Sequence, residues 1–161
     1  MTGPYIAVCG PQDATSEEAG WAEEIGRRLA EAGAIVVCGG WGGVMEAVSR
    51  GARDAGGLVI GILPGDSRAG ANPYLSAALP TGMGETRNAL IVRAADTVIA
   101  VSGEFGTLSE IALALKMGKP VVGLGTWELS KDGRSVDAVV RATTPEDAVK
   151  KALELTGGSG G

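Results

Sequence analysis

Five short apolar runs, separated by segments of helical pattern, constrain this chain more than any other feature. They lie at Tyr5–Cys9, Ile35–Cys38, 58–63, Thr97–Val101 and Val121–Leu124. Each is continuous rather than alternating and rich in Val and Ile, the mark of strands buried on both faces. Strands of that kind with helices between them form a parallel sheet covered on both sides. Right-handed crossovers limit the order; the simplest is 3-2-1-4-5, with the first and fourth strands adjacent. The expectation is one Rossmann-like, doubly wound α/β domain over residues 1–156 and a flexible Gly/Ser tail at 157–161.

The connecting segments carry their own signals. Thr15 and Glu18 form a capping-box pair, and Trp21, Ile25 and Leu29 follow on one helical face until Gly33. Helices are also read at 44–55, 86–95 and 107–117. Another runs over 145–155, where Thr144 caps and Pro145 takes the first helical position. Residues 127–135 read as a hairpin turn and 136–142 contain a possible extra edge strand. The stretch 66–84 is polar, contains glycine and proline, and is longer than an ordinary connection, the profile of a functional or mobile loop.

Composition excludes several classes. Aromatics are 4% and apolar residues 45%, so aliphatic side chains build the core. The net charge of −5 argues against nucleic acid and anionic membrane as partners. No apolar run suffices to span a bilayer and no basic-then-apolar leader opens the chain, so a cytoplasmic location is expected. There is no histidine, which removes Ser-His and Cys-His catalysis and the usual zinc sites. No metal site and no resident cofactor is expected. Cys9 and Cys38 each end a strand. They read as reduced core residues; a redox pair is the alternative, without a Cys-x-x-Cys spacing.

Three glycine loops follow strands at the sheet's carboxyl edge: Gly10-Pro11, Gly39 to Gly43, and Gly103 to Gly106. Ligands bind doubly wound sheets at that edge. The segment Gly103-Glu104-Phe105-Gly106-Thr107 leads from a strand into a helix, where unpaired amides and a partial positive charge suit phosphate. No lysine follows, so it is not a Walker A loop, and it is not Gly-x-Gly-x-x-Gly. Glu104 sits awkwardly beside an anion; it points to solvent, binds a cation or meets a sugar hydroxyl. Glu110 has two readings, a capping-box partner of Thr107 or a carboxylate facing the crevice. Arg87 either reaches the same crevice and pairs with a phosphate or is an ordinary surface arginine; Asn88 either joins it or caps the next helix. Met45 reads as core and Glu46 as a first-turn acid.

Together Gly39-Gly40-Trp41-Gly42-Gly43-Val44-Met45-Glu46, Arg87-Asn88 and Gly103-Glu104-Phe105-Gly106-Thr107-Leu108-Ser109-Glu110 resemble the lysine decarboxylase-like superfamily. It includes the Lonely Guy (LOG) cytokinin-activating phosphoribohydrolases and the molybdenum cofactor carrier proteins; the resemblance runs from Tyr5 to about Leu155 and is nearest to the short branch beside the carriers. It implies a Rossmann-like homodimer or homotetramer that binds a nucleotide or other phosphorylated small molecule. LOG enzymes cleave the N-glycosidic bond of nucleoside 5′-monophosphates. By that likeness Arg87 and Glu110 are the catalytic pair, and Gly103, Gly106 and Thr107 hold phosphate with help from Gly39, Gly40 and Gly43. Gly10, Met45, Asn88, Glu104 and Phe105 complete the binding set. The LOG motif Pro-Gly-Gly-x-Gly-Thr-x-x-Glu, with its upstream Arg-Lys pair, is altered here at Ser102, Glu104 and Asn88. These changes touch the hydrolase step more than ligand binding. A carrier using the same crevice without chemistry is the alternative. Decarboxylation itself is unsupported, because no lysine lies near the loops to form a Schiff base with pyridoxal phosphate.

Overall fold

A computed structural model describes residues 3–157; of the tail expected at 157–161, Gly157 instead closes the last helix and 158–161 lie outside the described residues. A seven-stranded parallel sheet forms the centre, in the order β4-β3-β2-β1-β5-β6-β9. Its strands are β1 (Tyr5–Cys9), β2 (Ile35–Cys38), β3 (Val59–Leu63), β4 (Ala77–Pro80), β5 (Thr97–Val101), β6 (Val121–Leu124) and β9 (Val140–Ala142). The five strands expected from sequence occupy the middle in the expected order. β1 lies against β5 with Ala7 opposite Val98, and this is where the winding reverses.

Helices α1 (Ser16–Glu31), α2 (Val44–Asp54) and α5 (Pro145–Gly157) cover one face; α3 (Asn88–Ala94) and α4 (Phe105–Lys116) cover the other. Alternate residues of each strand enter the two cores: Ile6 and Val8 face α1, whereas Ala7 and Cys9 face α3 and α4. The two cysteines separate in the same way. Ala7 pairs with Val37, which puts Cys9 level with Gly39 and Cys38 on the opposite face. They are free and buried, as the core reading expected.

Two departures have local causes. The 66–84 stretch is not a plain loop but contains edge strand β4, and it runs into a 3-10 turn, Gly84–Arg87, that replaces the start of the helix expected from residue 86. The sequence Ala-Ala-Leu-Pro lacks the β-branched signature, and its proline is tolerated because the strand is at an edge. At the other edge, β9 begins only at Val140. Before it, β7 (Leu129–Lys131) and β8 (Arg134–Val136) form the expected hairpin, turned by Asp132 and Gly133 at φ +51° and +75°. Among the described residues no helix is long and apolar enough to cross a membrane.

Candidate functional site

The loops at the carboxyl ends of β1, β2 and β5, with the segment after β3, enclose a crevice of about 870 Å³. Its electrostatics begin at α4. The expected Thr107–Glu110 capping box does not form. The helix starts two residues earlier, at Phe105, with Glu104 as its N-cap and no side-chain cap. Ser102 at φ +50° and Gly103 at φ +117° turn the chain sharply enough for this. A Cβ on Gly103 would lie 2.4 Å from that of Thr107, so only glycine allows the turn to close on the helix. Proline cannot reach the φ of Ser102, so the serine that stands where the LOG motif has proline permits this turn. The amides of Phe105, Gly106 and Thr107 are left without intrahelical acceptors at the positive end of the helix. By contrast, α1 has its capping box, with Thr15 Oγ1 accepting from Glu18 N at 3.1 Å.

Arg87 is not a surface arginine. It is 8% exposed, at the end of the 3-10 turn, with its guanidinium 5.9 Å from the Trp41 ring centroid. Its Nη1 donates to Asn88 Oδ1, while the buried Nε has no acceptor. Among the described residues it forms no ion pair. Asn88 does not cap α3. Its Nδ2 donates to Ser109 Oγ at 3.1 Å, and Ser109 Oγ donates to Gly106 O at 2.6 Å, which ties Arg87 to the first turn of α4. The result is a buried cation beside a field of free amides. Burying a charge without a partner is costly, and such costs persist where a ligand supplies the missing partner.

Glu110 takes the crevice-facing reading, in the second turn of α4 and 8% exposed. Burial pushes its carboxyl up to about 7, against the opposing pull of the Cys9 thiol and the Arg87 charge. Burial, reinforced by Glu110, raises the Cys9 thiol well above its ordinary value, so that thiol stays protonated.

Nine of the expected site residues line the crevice: Gly10, Met45, Arg87, Asn88, Glu104, Phe105, Gly106, Thr107 and Glu110. Glu104 is exposed at the rim. Gly39, Gly40, Gly43 and Gly103 lie behind the lining rather than in it. A Cβ on Gly39 would sit 2.9 Å from Arg87 Nη2, so this glycine makes room for the guanidinium. One on Gly43 would sit 2.2 Å from Gln12 O, so Gly43 lets α2 dock under the β1–α1 loop. Gln12, Asp13, Trp41 and Glu85 also line the crevice and were not expected. Trp41 alone had a readable signal, an aromatic set between glycines.

The SLOG cluster4 family pattern matches residues 3–149. The chain belongs to the SLOG cluster4 family. Its structure superposes on a molybdenum cofactor binding protein from Rippkaea orientalis with a TM-score of 0.86 and 35% identity, covering 96% of this chain and 98% of that one. The molybdenum cofactor carrier protein of Chlamydomonas reinhardtii superposes with a TM-score of 0.85 and 33% identity, over 96% and 99%. The cytokinin riboside 5′-monophosphate phosphoribohydrolase LOG of rice is 37% identical over 94 residues, 56% of this chain and 38% of the enzyme. The expected membership of the LOG-related superfamily and the Rossmann-like fold both hold.

Proposed function

We propose that this protein binds a phosphorylated small molecule, a nucleotide or a related compound, with its phosphate between the N-terminus of α4 and Arg87. The observation that carries this reading is the Arg87 guanidinium, buried and, among the described residues, in no ion pair, lining the same crevice as three uncapped amides. Those groups supply N–H donors and a full positive charge, which match a phosphate monoester. Gly106 and Thr107 offer backbone donors, and Asn88 fixes the guanidinium. Gly39 and Gly103 shape the seat from behind.

Glu110 favours a second reading of the same site, hydrolysis of a nucleoside 5′-monophosphate. A carboxyl near neutrality, inside the crevice, is ionised in about half the molecules at pH 7. As a carboxylate it would stabilise the oxocarbenium-like sugar as the C1′–N bond breaks. Water would add to C1′, its proton passing to the carboxylate and from there to the departing base nitrogen, giving ribose 5-phosphate, free base and the carboxylate again. Without that step, the site is a carrier's, and the two full-length superpositions on molybdenum cofactor proteins support that version.

Incubating the protein with AMP and CMP and assaying ribose 5-phosphate separates the two. Release abolished in Glu110→Gln marks the enzyme. Binding without release, with molybdenum and pterin fluorescence co-purifying, marks the carrier. Failure to bind any phosphorylated compound contradicts both.

We further propose a cytoplasmic homodimer or homotetramer. Leu108 and Leu115 are only half-buried and, with exposed Ala112, form an apolar outer stripe on α4. Light scattering should give a mass of two or four chains; a monomer at micromolar concentration contradicts it.

A further inference from the structure

Phe105 is the chain's only phenylalanine, and it is 75% exposed. It is the first residue of α4, so its ring stands one residue from the free amides of Gly106 and Thr107, and it lines the crevice. The ring is not loose. It packs against Trp127 with centroids 5.6 Å apart and planes tilted by 35°. Trp127 is itself fixed: its Nε1 donates to Glu104 O at 3.2 Å, and its carbonyl accepts from Arg141 Nη2 at 3.1 Å. Thr126 Oγ1 donates to Ser102 O at 2.5 Å, which fastens the same strand exit to the phosphate loop. A rigid aromatic ring, braced on one side and open to a ligand cavity on the other, has no packing role that explains its exposure.

We propose that Phe105, braced by Trp127, is a stacking platform for a flat nitrogen heterocycle carried by the phosphorylated ligand. The proposal rests on the phosphate site at α4 and Arg87. Stacking on an aromatic face accepts any planar base. The acceptors of the same crevice narrow the class: Asp13, Glu85 and Glu104 line it, and carboxylate oxygens accept hydrogen bonds. The ring that fits therefore bears N–H and amino donors, as adenine, guanine, cytosine and pterin rings do.

Calorimetric affinities for AMP, GMP, neopterin phosphate and ribose 5-phosphate test this on the wild type, Phe105→Ala and Phe105→Trp. In the wild type at least one ring-bearing compound should bind about tenfold or more tighter than ribose 5-phosphate. Phe105→Ala should reduce that ratio to near one, and Phe105→Trp should restore it. A ratio unchanged in Phe105→Ala, or a wild type that binds ribose 5-phosphate as tightly as every ring-bearing compound, overturns the platform and leaves the phosphate site standing. A wild type that binds none of the four overturns the phosphate site as well.

Discussion

Arg87→Met should weaken binding of AMP and ribose 5-phosphate by about 10- to 150-fold, the loss expected for a hydrogen bond to a charged group. The same substitution should leave the thermal midpoint of the free protein unchanged or raise it. A binding arginine and a structural one differ in what their removal leaves behind. Removing one member of a buried ion pair costs roughly 3 to 5 kcal/mol, because a charge is orphaned. Arg87 has no ion-pair partner among the described residues, so its removal orphans no charge and relieves the cost of burying a cation, which offsets the hydrogen bond lost at Asn88 Oδ1. Methionine gives up the cation over the Trp41 ring but leaves an unbranched apolar side chain that can pack in the same space. Isothermal titration and calorimetric melting on one preparation read both quantities. A midpoint that falls steeply with affinity intact would make Arg87 a structural residue.

Glu110→Gln should stabilise the protein, and only above the acid range. The carboxyl titrates near 4.5 when unfolded and is pushed up to about 7 by burial in the fold. Between those values the folded state holds a proton that the unfolded state has released. Stability therefore falls as pH rises through that window and is level above it. The span corresponds to about 3 kcal/mol. Glutamine cannot ionise, so the variant should match the wild type near pH 4 and exceed it by about 6 to 12 °C in Tm at pH 8. Melting curves at the two pH values check this; a constant offset would show that Glu110 is not the group that titrates. If the site is hydrolytic, the stabilised variant should also lose about 100-fold or more in base release. A gain in stability with a loss of activity is the pattern of a residue held in an unfavourable place for function.

The sheet was legible because its central strands are buried on both faces, and that burial demands uninterrupted Val and Ile. Edge strand β4 was not, since Ala77, Ala78 and Leu79 meet no such demand. The start of α4 was misplaced by two residues for a different reason. The positive φ of Ser102 is set by tertiary contacts, and serine gives no local sign of it. Thr107 and Glu110 therefore had the spacing of a cap but the positions of a buried helical face. Arg87 shows what pattern reading lacks most. Arginine is ordinarily exposed, and the space that buries this one is made by Gly39, 48 positions away in sequence and adjacent in the fold. The glycines of the β2–α2 loop, expected to bind the ligand, do not line the crevice: Gly39 makes room for Arg87, Gly40 packs against Leu63 and Gly43 lets α2 dock.

The central claim is that a phosphate sits in the crevice lined by both the α4 amides and the Arg87 guanidinium. The direct measurement is a 15N–1H correlation spectrum of the labelled protein titrated with ribose 5-phosphate. The account predicts saturable shifts concentrated on the amides of Phe105, Gly106 and Thr107, together with a downfield, exchange-protected Arg87 Nε–H signal. Saturable shifts confined to another part of the surface, with these four resonances unmoved, would contradict it.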